Sequence, residues 1–164
     1  MNDHTILEEE GDAWHRRNSG TQTRLDSDPV LAEIATWALR RPPAQVLEIG
    51  CAAGSRLSAI HDRYQSTCFG VEGSSVAVQE GSARHPAVKI EQGIAPSCLT
   101  QFDDGSFDLV ILGFMQYLIP REWEFNLATQ IDRLLSTGGR VVAYDFLSPI
   151  PSTREYSHQP ALTT

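Results

Sequence analysis

Apolar and polar positions along this chain switch repeatedly between two periods. Val30, Leu31, Ile34, Trp37 and Ala38 recur at the spacing of one helix face. Asp28 before Pro29 supplies an N-cap and a proline at the first helical position, and Arg41-Pro42-Pro43 closes the segment. The run 45–49 then reads as a strand broken by Gly50, and Leu57, Ile60 and Tyr64 mark one face of the next helix. A second strand is expected over 67–71, a helix opened by serine caps over 74–84, and a brief third strand over 88–90. Residues 107–112 are rich in β-branched side chains and follow the turn Asp103-Asp104-Gly105-Ser106, which predicts a fourth strand. Leu127, Ile131, Leu134 and Leu135 line a helix expected to stop at Gly138-Gly139, ahead of a fifth strand over 140–146.

Strand and helix in this rhythm imply right-handed crossovers. The expected fold class is α/β, a doubly wound, mostly parallel sheet of about five strands with helices on both faces. Residues 1–27 form a polar N-terminal segment with a candidate lid helix over 6–16. Residues 28–146 make the ligand-binding α/β domain, and 147–164 a proline-containing tail.

Composition adds exclusions. The formal net charge is -8, and the basic residues are not clustered, so a phosphate backbone is a poor partner. The first residues are acidic with no apolar h-region, and Leu109 to Met115 is too short an apolar run to span a bilayer. Cys51, Cys68 and Cys98 match no zinc spacing, and a cytoplasmic protein with reduced thiols is expected.

The candidate chemistry lies after the first strand, in Glu48-Ile49-Gly50-Cys51-Ala52-Ala53-Gly54-Ser55. Small residues at 50, 52, 53 and 54 let the backbone turn sharply and approach a ligand. The helix beginning near Ser55 directs its N–H groups and positive dipole end to the same place. Glu72, at the end of the second strand, is placed to accept hydrogen bonds from ribose hydroxyls. A dinucleotide loop would read Gly-x-Gly-x-x-Gly, whereas here the pattern is Gly50-x-Ala52-x-Gly54. The Glu48 carboxylate would also repel a pyrophosphate and tolerate an ammonium group. A nicotinamide-dependent oxidoreductase is disfavoured on both grounds.

Val46-Leu47-Glu48-Ile49-Gly50-Cys51-Ala52-Ala53-Gly54 resembles the first motif of the class I, Rossmann-like S-adenosylmethionine-dependent methyltransferases. Gly70-Val71-Glu72-Gly73-Ser74 is similar to their second, 107–111 to their strand-four motif, and 134–140 to the turn before strand five. The resemblance implies methyl transfer from S-adenosylmethionine, with S-adenosylhomocysteine as product, to an oxygen, nitrogen or carbon of a small molecule. It implies that Glu48, Gly50, Cys51, Ala52 and Gly54 surround the methionine portion and that Glu72, beside Gly73, holds the ribose. Many relatives place an Asp after Gly93; this chain has Ile94, which leaves adenine to the backbone of Ile94 and Ala95 and to apolar packing. Leu112 and Gly113 would meet the methionine end through backbone.

Asp145 is the candidate catalytic residue, because the end of strand five borders the expected acceptor; Tyr144, Gln116 and Tyr117 are further candidates there. Cys51 reads as a small filler, Asp108 as structural at the wrong edge of the sheet, and His15 as part of a solvated helix face rather than a lid. No Asp, Asn and His cluster suggests a metal. The family's sheet continues with two more strands, while three prolines in 147–164 argue against a central strand. A fragment of a longer protein is therefore expected, or else an exposed edge strand that offers a dimerisation surface. The alternative function is a binding or regulatory module that holds the cofactor without turnover. A small-molecule substrate is expected, with neither nucleic acid nor membrane as partner.

Overall fold

The structure is a computed structural model that describes residues 3–18, 25–146, 149–150 and 157–158. Its order is α1 (Asp3–Asn18), α2 (Pro29–Ala38), β1 (Gln45–Ile49), α3 (Ser55–Tyr64), β2 (Thr67–Glu72), α4 (Ser75–Arg84), β3 (Lys89–Gln92), β4 (Phe107–Gly113), α5 (Arg121–Leu134) and β5 (Leu135–Tyr144). The strands form one sheet in the order β3-β2-β1-β4-β5, and every pair is parallel. The chain leaves β1 toward β2 on one side and returns through β4 on the other. Such a reversal opens a crevice at the carboxyl ends of β1 and β4.

Side chains alternate across a strand, and this divides the core. Val46, Leu109 and Ile111 pack with Val30 and Ile34 of α2 and with Leu57 and Ile60 of α3. Leu47, Ile49, Val110 and Leu112 pack with Leu127, Ile131 and Leu134 of α5. By the same alternation Glu48, two residues after Val46, falls on the α2–α3 face. Local signals seat the helices as read from the sequence. Asp28 accepts from the N–H of Val30 and Leu31 at the start of α2, and Ser74 accepts from Ala77 N–H at the start of α4.

Three expectations need correction. The last helix stops at Leu134, not at the glycine pair, and β5 starts at Leu135. Pairing jumps from Phe107↔Leu135 to Leu109↔Arg140, so Ser136 to Gly139 form an irregularity inside the strand, with Gly138 at φ 79. The glycines serve this kink, where a left-handed residue is needed, and not a helix cap. Next, β3 runs Lys89–Gln92, beyond the brief 88–90 segment, because Glu91 and Gln92 pair with Val71 and Glu72. Last, His15 is not on a solvated face. It is 7% exposed and hydrogen-bonds Glu80 of α4 at 2.7 Å.

Candidate functional site

The loop from β1 to α3 takes a left-handed backbone at alternate residues: φ is 75 at Gly50, 49 at Ala52 and 72 at Gly54. The Gly50 and Cys51 N–H groups both donate to the Val71 carbonyl of β2, at 2.8 and 3.3 Å. A Cβ at Gly50 would come within 2.8 Å of the Met115 Cβ. Gly54 is the N-cap of α3 and carries no side-chain cap hydrogen bond, which leaves the positive end of that helix open toward the loop. Cys51 lies over Gly70, where any Cβ would strike its sulfur. Burial, then Glu48 and Glu72, push the Cys51 thiol well above its ordinary range. It is a filler, as the sequence suggests.

Two carboxylates flank the loop. Glu48 is 1% exposed and paired through Oε1 with Arg56 of α3, and its Oε2 is buried without a hydrogen-bond partner. Arg56 also donates from Nε to Asp28 at 3.0 Å. Burial dominates at Glu48 and raises its pKa, with Asp28 and Glu72 acting the same way and Arg56 opposing. Glu72 accepts the Ala52 N–H and the Ser74 N–H, each at 2.8 Å. Burial is again the largest influence and raises its pKa, against the pull of those backbone groups. The backbone groups of Ser74, Ala52 and Gly73 leave part of the carboxylate's capacity of about four acceptor sites unused. Sequence reasoning missed Arg56 and the Glu72–Ala52 tie; the only sequence signal for the former is a lone basic residue in the first turn of α3.

Beyond β2 and β3 the walls are apolar. Gly73 stands against Ile94 Cδ1, and Gly93 against the Cys98 Cβ. Ile94 and Ala95 are 9% and 4% exposed. The Ile94 carbonyl accepts the Ser97 hydroxyl at 2.8 Å and the Cys98 N–H at 3.2 Å. Backbone recognition there is thus narrowed from the expectation, since that carbonyl is engaged. Across the same end of the sheet lies α1. His4 meets Trp123 of α5 at 5.0 Å between ring centroids, Leu7 packs on Ile94, Asp12 accepts the Ser74 hydroxyl at 2.6 Å, and His15 reaches Glu80.

At the rim of β4 and β5, Leu112 is 4% exposed and Gly113 partly exposed. A Cβ at Gly113 would lie 2.5 Å from Arg56 Nη1. Phe114, at φ 57, donates its N–H to the Tyr144 carbonyl at 2.8 Å. Its ring meets Tyr144 at 4.8 Å and Phe146 at 5.4 Å, and Tyr117 meets Phe146 at 5.4 Å. Asp145 accepts the Gln116 N–H through Oδ2 and the Phe146 N–H through Oδ1, both at 2.7 Å. Those bonds tie the segment after β4 to the end of β5, and the Asp145 carboxylate keeps acceptor capacity beyond them. At the opposite end of the sheet, Asp108 accepts the N–H groups of Ala44 and Gln45 and the Ser136 hydroxyl. Among the described residues, no group of three His, Cys, Asp or Glu is placed to hold a metal, and no helix is long and apolar enough to cross a membrane.

A family model described as a methyltransferase domain matches residues 46–139, more than half of the chain. A probable tocopherol O-methyltransferase, chloroplastic, of Oryza sativa subsp. japonica is 24% identical over 136 residues, covering 78% of this chain and 35% of that protein. The SAM-bound structure of CalS10, an amino pentose methyltransferase of Micromonospora echinaspora, aligns with a TM-score of 0.65 at 22% identity, over 88% of this chain and 60% of that one. A SAM-dependent methyltransferase of Archaeoglobus fulgidus aligns with a TM-score of 0.60 at 15% identity, over 76% and 54%. The chain thus spans about a third of the curated relative and somewhat over half of these two structures, and likeness at these identities establishes the fold.

Proposed function

Because the chain belongs to the methyltransferase-domain family, we propose that it holds S-adenosylmethionine in the loop between β1 and α3 and supports transfer of the methyl group to a small-molecule acceptor. The observation that carries this reading is the left-handed loop of Gly50, Ala52 and Gly54 set between two inward carboxylates, one with an unpartnered oxygen. Residues of this kind fit the ligand's chemistry. The orphaned Glu48 oxygen suits an ammonium group, and the spare lone pairs of Glu72 suit ribose hydroxyls. Gly50, Cys51, Ala52 and Gly54 would surround the methionine portion. Gly73, Gly93, Ile94 and Ala95 would wall the adenine, and α1 would cover it through Leu7. Leu112 and Gly113 would close the methionine end.

When bound, S-adenosylmethionine supplies an already activated methyl group, so alignment with a nucleophilic oxygen, nitrogen or carbon can carry most of the rate. The aromatic rim of Phe114, Tyr117, Tyr144 and Phe146 borders Gly113 and would seat the acceptor. Asp145 holds that rim in place through its two backbone bonds. The net charge of -8 supports an acceptor other than a polyanion, and the relatives named above include ones named for tocopherol and an amino pentose.

Titration calorimetry tests the cofactor. S-adenosylmethionine and S-adenosylhomocysteine should bind with low- to mid-micromolar constants, and NAD should not bind. Tight NAD binding without sulfonium binding would overturn the reading. Incubation with methyl-labelled cofactor and a panel of phenols, amines and sugars identifies the acceptor.

A further inference from the structure

Arg56 is shared between two acids. Nε donates to Asp28 Oδ2 at 3.0 Å, Nη1 pairs with Glu48 Oε1, and the guanidinium fills the space a side chain at Gly113 would need. One cation therefore joins the cap of α2, the end of β1 and the end of β4. The charges around it do not balance. A single guanidinium serves two carboxylates that are 6% and 1% exposed. Asp28 spends its other oxygen on the N–H groups of Val30 and Leu31. Glu48 Oε2 is left buried without a partner, an arrangement that costs free energy until something donates to it.

We propose that Arg56 is a positioning residue for cofactor recognition: it pins one Glu48 oxygen against α2 and β4, so that the other must be neutralised by the ammonium group of the ligand. This rests on the methyltransferase reading and adds the device by which that site selects a cation. The charged and titratable groups around Glu48 are Arg56 from α3, Asp28 from the α2 cap, Glu72 and the Cys68 thiol from β2, and the Cys51 thiol of the loop. In the free protein burial outweighs Arg56, and Glu48 keeps its proton to higher pH than an exposed glutamate. An arriving ammonium favours the carboxylate, so binding expels that proton to solvent. Without Arg56, burial acts unopposed and the proton is held to still higher pH.

Calorimetry with S-adenosylhomocysteine, in buffers of different ionisation enthalpy between about pH 5.5 and 8.5, reads the proton count directly. Wild-type protein should release protons on binding, increasingly so toward acid, and Glu48→Gln should remove that release. Arg56→Gln should bind about tenfold or more weakly near pH 6 and recover toward wild type as pH rises. Arg56→Lys should restore most of the affinity at neutral pH. A merely structural Arg56 predicts a pH-independent loss, and parallel profiles for Arg56→Gln and wild type would overturn the proposal. So would proton release that persists in Glu48→Gln. If circular dichroism shows Arg56→Gln unfolded, Arg56→Lys carries the comparison: its loss of affinity should be greatest near pH 6 and shrink as pH rises, and a loss independent of pH would overturn the proposal. Failure of wild type to bind S-adenosylhomocysteine at any pH sinks the methyltransferase reading itself, a result distinct from the others.

Discussion

Glu72 accepts the N–H of Ala52 at 2.8 Å, so the carboxylate proposed to hold the ribose also fastens the loop proposed to hold the methionine. Its second oxygen fastens the turn into α4 through Ser74. One side chain thus ties the loop after β1 to the turn into α4.

Glu72→Ala should weaken S-adenosylhomocysteine binding by about 1.5–3 kcal/mol, roughly 10- to 150-fold, through loss of a charge-assisted hydrogen bond. It should also lower the melting temperature, because two backbone donors lose their acceptor. Glu72→Gln keeps one acceptor oxygen and should fall between. Unchanged affinity in Glu72→Ala, measured by calorimetry, would place the ribose elsewhere.

Gly50→Val should abolish binding more completely. The residue sits at φ 75, and a Cβ there would lie 2.8 Å from the Met115 Cβ. A left-handed backbone costs a non-glycine residue roughly 1–2 kcal/mol before any clash. Gly73→Ala is the contrast: its φ is not positive and its nearest obstacle is the mobile end of Ile94. That variant should keep its fold and lose less affinity. A Gly50→Val protein that melts and binds like wild type would exclude the loop from the site.

The ligand-free protein should gain stability as pH falls through the raised folded values of Glu48 and Glu72 toward that of the unfolded chain. Glu48 and Glu72 both have raised pKa values in the folded state. Above the unfolded glutamate value of about 4.3, and up to the raised folded values, the native state binds more protons than the unfolded chain. Stability therefore falls as pH rises through that window. Below it, acids such as Asp108 dominate. Burial raises the Asp108 pKa, but the N–H groups of Gln45 and Ala44 and the Ser136 hydroxyl outweigh it and hold the carboxyl below its ordinary range. The stability Asp108 contributes is lost as pH drops through that lowered value. Thermal melts of wild type and Glu48→Gln across pH check the sign, since the variant should show a flatter slope above the unfolded glutamate value of about 4.3.

Asp145→Asn separates two roles. If Asp145 holds the rim through Gln116 and Phe146, the variant keeps cofactor affinity, raises KM for the acceptor and leaves the shape of the pH–rate profile unchanged. A general base would instead contribute about 10²–10⁴-fold to kcat, and its loss would remove the acid limb of the profile. Steady-state kinetics with labelled cofactor and an acceptor from the panel distinguish them.

Most strand and helix segments, and the sharp turn after the first strand, were legible in the sequence alone. Apolar periodicity is written residue by residue, and Asp28-Pro29, Ser74 and the glycines at 50 and 54 act on their own backbone, so each is readable without its neighbours in space. The tertiary structure alone decided which charges meet. Arg56 reads as an ordinary polar residue in a helix until the register of α2, β1 and α3 brings Asp28 and Glu48 to it. His15 reads as solvated until α1 lies against α4 and Glu80 stands 2.7 Å away. Gly138 and Gly139 read as a helix stop until the pairing of β5 with β4 requires a kink there. Periodicity encodes which face of an element is buried. Partners across elements depend on the distances and rotations at which those faces pack, and no single segment carries that information.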